Sequence, residues 1–156
     1  DIIAPGFKSN LPDVLSAIGR EQLKKADDFR KSRIEVVKKY NEAFKDCDFL
    51  TLPPDGEGNA WHLYLLQIKP EKLDCDRNTF AKELQEAGLG ISMHFIAIFH
   101  FTYWKARYPD FTAENFPNAE KHYQNTITLP LYPYMTEEES DFVIEKVKET
   151  GKKHHA

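Results

Sequence analysis

Apolar residues recur at helical spacing over the first third of the chain. Leu15, Ile18, Ala26, Phe29, Val37, Tyr40 and Phe44 fall three, four or eight positions apart, with lysine, arginine and carboxylates between them. That period predicts one long amphipathic helix over residues 13–45. Asn10 is placed to cap it, Pro12 suits its first turn, and Asp13 lies near the positive end of its dipole. A helix of that length exceeds what a small core needs, so it is expected to cross between parts of a larger protein or between subunits. Residues 53–59 (PPDGEGN) form a turn-rich connection, and the aromatic and apolar run WHLYLLQIK at 61–69 reads as a strand. Residues 76–88 read as a helix, with Phe80 and Leu84 four apart and Gly88 as its stop. A short strand is expected around 89–95, a helix from Pro117 to about Asn125, and an extended stretch through TITLPLYPYM. Thr136 and Glu139 have capping-box spacing ahead of a last helix.

The order of elements predicts a mixed α/β fold: a long N-terminal helix and a small sheet covered by helices, in the manner of an α+β small domain. The expected boundaries are an entrance turn at 1–12, a connecting helix at 13–45, a small domain at 46–150 and a frayed, charged tail at 151–156.

With 156 residues, 41% of them hydrophobic, the chain can bury one core. A net charge of −4 offers no basic face for nucleic acid or for an anionic membrane. No apolar run approaches the roughly 20 residues of a membrane span. Cys47 and Cys75 lie 28 positions apart with no C-x-x-C pair, the usage of reduced thiols in a cytoplasmic protein. The first residue is aspartate, which suggests a piece of a longer chain.

Residue chemistry alone assembles no catalytic set. His94 and His100 are six apart, a poor spacing for two metal ligands on one face, with no carboxylate or cysteine beside them. No metal is expected, and His154 and His155 in the terminal GKKHHA are assigned no function. The aromatic surroundings of His94 and His100 read first as core, although such neighbours would also desolvate a histidine placed among them. At the other end Gly6, Lys8, Ser9 and Asn10 precede a helix start, whose free N–H groups and partial positive charge suit an anion.

Five blocks taken in order go further. The stretch GFKSNLPDVLSAIGREQL at 6–23 resembles the opening signature of the DegT/DnrJ/StrS family of nucleotide-sugar aminotransferases. AWHLYLLQI at 60–68, AGLGISMHF at 87–95, ENFPNAE at 114–120 and LPLYPYMTEEESDFVIE at 129–145 are similar to its later blocks. The resemblance implies the C-terminal part of a fold type I pyridoxal-phosphate transferase (the aspartate-aminotransferase fold), with the Schiff-base lysine upstream of this chain. It implies that Asn10, with Lys8, contacts the cofactor phosphate of a neighbouring subunit, and that His94 and Phe95 belong to the sugar pocket. It supplies no catalytic residue from this chain. Ser9 stands where many members carry tyrosine, and Phe99 where they carry a second histidine, so that His100 falls one place late. The intact protein is therefore expected to be a cytoplasmic homodimer that transfers an amino group, with glutamate as donor, to a nucleotide-linked keto-sugar. The fragment alone is expected to be inactive. A dehydratase of the same family and a non-enzymatic dimerisation or regulatory relative are the alternatives.

Overall fold

The computed structural model describes residues 1–9, 11–56 and 58–155. Three short strands form one antiparallel sheet in the order β1 (Leu50–Thr51), β2 (Tyr64–Ile68), β3 (Thr126–Leu129). Six helices accompany them among the described residues: α1 (Asp13–Leu23), α2 (Ala26–Phe44), α3 (Arg77–Glu86), α4 (Thr102–Arg107), α5 (Pro117–Asn125) and α6 (Glu137–Lys153).

Strand alternation decides where the core sits. Tyr64, Leu66 and Ile68 of β2 and Ile127 and Leu129 of β3 share one face and are almost fully buried. Against that face pack Val37, Tyr40 and Phe44 of α2, Phe80 and Leu84 of α3, and Val143 and Val147 of α6. Two tyrosines enter this core and keep their hydroxyls partnered. Tyr40 donates to the Pro130 carbonyl at 2.9 Å and Tyr64 to Asn41 Oδ1 at 2.8 Å. Burial pushes both phenols above their ordinary pKa, so they stay neutral.

Local chemistry sets several helix ends. Asp76 caps α3 by accepting from Thr79 N, and Gly88, at φ +95°, turns the chain after α3 in a conformation that disfavours other residues. The Thr136–Glu139 capping box starts α6 with both reciprocal bonds present. Pro117 opens α5 as expected.

Three expectations change. The helix expected over 13–45 is two helices, because the ladder breaks at Lys24–Lys25, where Lys25 N reaches back only to Gln22 O. Beyond the break α2 buries Val36, Val37, Tyr40 and Phe44, whereas α1 buries nothing, so no packing holds the two helices as one rod. At the head of α1 the capping position belongs to Pro12, which offers no side-chain bond; Asn10 lies outside the described residues. The strand expected at 89–95 reduces to one bridge, Ser92 with Thr128. Leu89 and Ile91 are buried beside β3, and the chain then departs. β1, α4 and two short 3₁₀ turns were not anticipated.

The C-terminal end is not frayed. α6 runs to Lys153, and the next residues are stitched to the loop before α3. His154 Nδ1 lies 2.5 Å from Asp74 Oδ1 and its Nε2 3.0 Å from Glu83 Oε1, and the His154 carbonyl accepts from Asp74 N. His155 Nε2 pairs with Asp48 Oδ1 at 2.8 Å. Cys75 adjoins Asp74 and His154, whose Nδ1 is bonded to Asp74 and whose Nε2 is within ion-pair distance of Glu83 without a well-aligned hydrogen bond.

Asp74 and Glu83 hold the His154 imidazolium above its ordinary pKa of 6.5. The folded state therefore binds that proton more tightly than the unfolded chain does. The stabilisation is fully present below pH 6.5 and is lost as pH rises through the elevated value. Melting temperature is expected to fall across that range, and His154→Gln should flatten the dependence. An unchanged slope in the variant would assign it to another group.

Gly151, inside α6, lies against the Phe49 ring, and a Cβ there would meet the ring well inside van der Waals contact. Alanine is the better helix former by about 1 kcal/mol. Phe49 is buried, so the overlap outweighs that gain. Gly151→Ala is expected to destabilise by about 1–3 kcal/mol in denaturant unfolding.

Candidate substrate site on the outer sheet face

The sheet's second face is polar where its first is apolar. The register pairs Leu65 with Thr128 and Gln67 with Thr126, which puts these four side chains together. α5 lies against β2 from this side, and Gln67 Nε2 donates to His122 Nδ1 at 3.0 Å. Arg77, buried at the start of α3, donates from Nη1 to the Thr126 carbonyl at 3.0 Å and spans the Tyr123 ring. The Arg77 contact ties α3 to the edge of the site. Alongside runs a cavity of about 530 Å³ lined by Trp61, His62, Leu63, Leu65, Gln67 and His122.

His94 sits over this face. The Ser92–Thr128 bridge fixes the backbone two residues before it, with Thr128 N donating to Ser92 O at 2.8 Å. The imidazole Nδ1 then lies 2.9 Å from Thr128 Oγ1 and 3.4 Å from Ser92 Oγ. Thr128 is buried and Ser92 exposed, so one anchoring hydroxyl is internal and the other faces solvent. Phe95 follows with its ring edge against the imidazole, 4.5 Å between centroids, and is 72% exposed.

His100 has a different environment. Its Nε2 lies 2.6 Å from Glu120 Oε2, and its ring packs between Phe99 and Tyr123. Gln124 and His100 both bond the Glu120 carboxylate and hold it below its ordinary pKa. Phe99 is buried and stacks on Phe116. The histidine one place late is thus bound to α5, while Phe99 serves as packing.

Lys8 is exposed in the extended N-terminal segment. That segment is anchored at its first residues, where Asp1 accepts from Thr102 N and Oγ1 and Ile2 O from Tyr103 N. Among the described residues no hydrogen bond or ion pair joins Lys8 to His94 or Phe95.

Sequence reasoning missed Thr128, Ser92 and Gln67. A signal for the threonine existed: in TITL polar residues alternate with apolar ones, and that period puts both hydroxyls on the face opposite the core.

The outer face offers imidazoles, hydroxyls and an amide, which suit binding a polar ligand. Burial pushes the Cys47 and Cys75 thiols up, which suppresses their thiolate forms.

The profile of the DegT/DnrJ/EryC1/StrS aminotransferase family matches residues 2–148. The chain belongs to this family. Among curated relatives it is 36% identical over 155 residues to the spore coat polysaccharide biosynthesis protein SpsC of Bacillus subtilis, covering 97% of this chain and 40% of that one. It is 38% identical over 150 residues to protein MJ1066 of Methanocaldococcus jannaschii, covering 95% and 39%. Among solved structures, the putative sugar aminotransferase Spr1654 of Streptococcus pneumoniae in its PMP form superposes with a TM-score of 0.82 at 28% identity. That match spans 98% of this chain and 38% of the other. The same protein is also known in a PLP form. Helicobacter pylori PseC, an aminotransferase of pseudoaminic acid biosynthesis, shares the fold with a TM-score of 0.83 at 22% identity, over 98% and 41%. The chain thus spans about two fifths of the length of these relatives. This DegT-family chain has the mixed α/β architecture expected of it.

Proposed function

We propose that the intact protein is a pyridoxal-phosphate-dependent aminotransferase that moves an amino group, with glutamate as donor, to a nucleotide-linked keto-sugar. The reading carries further that it acts as a cytoplasmic homodimer, and that this chain alone is inactive because the Schiff-base lysine lies upstream. One observation supports the sugar assignment most directly. His94, the histidine of the family block, is fixed by Thr128 on a polar face, with Phe95 exposed beside it.

The α1 entrance fits a phosphate. Lys8 contributes an exposed ammonium, and among the described residues no side chain caps the first turn of α1, whose N–H groups suit an anion. Asp13 in that turn adds a negative charge, which works against an anion there. Bound pyridoxal phosphate supplies an electron sink for the carbon that loses and regains a proton. In this reading Lys8 and Asn10 hold the phosphate of a partner subunit, while His94 and Phe95 orient the sugar. The 46–150 small domain packs over the active-site mouth. Val14, Leu15, Ile18 and Leu23 of α1 are exposed, and a second subunit together with the upstream domain would cover such a surface. Among the described residues no helix is long and apolar enough to cross a membrane.

In the full-length protein Asn10→Ala and Lys8→Ala should each release cofactor faster on dialysis, followed by absorbance. Unchanged retention in both variants would remove the entrance from the cofactor site. For the reaction, cofactor-loaded protein given glutamate alone should release one equivalent of 2-oxoglutarate per subunit. No release would contradict transfer and favour the dehydratase alternative.

A further inference from the structure

We infer that Thr128 holds His94 as the neutral tautomer protonated on Nε2, so that it presents a hydrogen-bond donor to an oxygen acceptor of the substrate. The tautomer follows from the geometry. The ligand it serves rests on the reading of His94 as part of the sugar pocket.

A hydroxyl carries one hydrogen to donate, and a neutral imidazole has one donor nitrogen and one acceptor. Thr128 is 4% exposed, and its Oγ1 has one side-chain partner among the described residues, His94 Nδ1 at 2.9 Å. If Nδ1 carried the proton, Thr128 would have to accept, and its own hydrogen would have no side-chain acceptor among the described residues. Folded proteins avoid such unpartnered donors. If Nδ1 accepts, both groups are satisfied. Ser92 Oγ lies 3.4 Å from the same nitrogen, but Ser92 is exposed and its hydrogen can turn to solvent, so the tautomer rests on Thr128. Among the described residues Nε2 has no hydrogen-bond partner, so its N–H is the edge left for a ligand.

Thr128 is accordingly a positioning residue acting through His94. It sits on β3, locked by the Leu65 pairing and by the Ser92 bridge, so the ring inherits the rigidity of the sheet. A donor fixed in advance discriminates for a keto, hydroxyl or phosphate oxygen and against a group that must itself donate.

The test uses the full-length protein labelled with ¹⁵N-histidine. Long-range ¹H–¹⁵N correlation distinguishes a protonated from an unprotonated ring nitrogen, and the His94 signals are those absent from H94Q. The expected spectrum shows Nε2–H and a bare Nδ1 for His94, retained in T128S and lost to a mixture in T128V. Nδ1–H in the wild type would overturn the inference, as would an unchanged tautomer in T128V. Should T128V fail to fold, the wild-type and T128S spectra decide alone.

In kinetics T128V should raise KM for the nucleotide-sugar roughly tenfold, with kcat within about twofold, and T128S should restore it. A nucleoside diphosphate lacking the sugar separates the acceptor's source. If it shifts the His94 Nε2–H signal the acceptor is a phosphate oxygen, and if only the nucleotide-sugar does so the acceptor belongs to the sugar. If neither moves the signal, the ligand half is wrong. An Nε2–H tautomer with normal turnover in H94Q would contradict the pocket reading alone. An Nδ1–H tautomer with impaired H94Q would contradict this inference alone.

Discussion

Tyr40→Ala is expected to destabilise the protein by about 3–5 kcal/mol, a large share of the roughly 5–15 kcal/mol available to a domain. The side chain is fully buried between α2 and the sheet. Its ring meets Tyr64 of β2 edge-on at 5.1 Å between centroids and Phe44 of α2 at 5.8 Å, so truncation opens a cavity between helix and sheet. It also strands the Pro130 carbonyl, which accepts the Tyr40 hydroxyl at 2.9 Å just after β3 ends. Tyr40→Phe keeps the ring and removes only that bond, and should cost about 1–2 kcal/mol. Urea unfolding of both variants separates the packing contribution from the hydrogen bond. Equal losses in the two would mean that the hydroxyl, not the ring, holds this corner.

His94→Ala in the intact protein should lower kcat/KM for the nucleotide-sugar roughly 100-fold, the scale of one well-placed hydrogen bond to a polar substrate group. Its effect on folding should be about 1–2 kcal/mol, because the ring is only half-buried but its loss leaves the buried Thr128 hydroxyl without its side-chain partner. The split between function and stability is the informative quantity. Loss of cooperative unfolding with normal activity in the folded fraction would make His94 a packing residue.

Much of the fold was legible because it is written in short-range chemistry. Gly88, Pro117 and the Thr136–Glu139 pair mark helix boundaries by rules that involve only neighbouring residues, and each boundary appears where those rules put it. The break at Lys24–Lys25 was not legible. Apolar spacing continues across it, and only the absence of packing on α1 separates that helix from α2. The C-terminal clamp was hidden for a different reason: His154 and Asp74 are 80 positions apart, and no local pattern predicts that the helix end will meet that loop.

The site divides the same way. His94 was marked by its place in a family block. Its supports, Thr128 and Ser92, come from two segments that meet only through the sheet register. Lys8 and the apolar side of α1 are exposed here, so no contact among the described residues marks a role for them; under the proposed function their contacts lie on a second subunit.

The intact protein is proposed to transfer an amino group to a nucleotide-linked keto-sugar. The most direct measurement supplies the full-length protein with pyridoxal phosphate, ¹⁵N-glutamate and a nucleotide keto-sugar, and follows the isotope by mass spectrometry. The account predicts one ¹⁵N atom bonded to carbon in the sugar product, with an equivalent of 2-oxoglutarate formed. A product that has lost water and gained no nitrogen, or a sugar returned unchanged by cofactor-loaded protein, would contradict it.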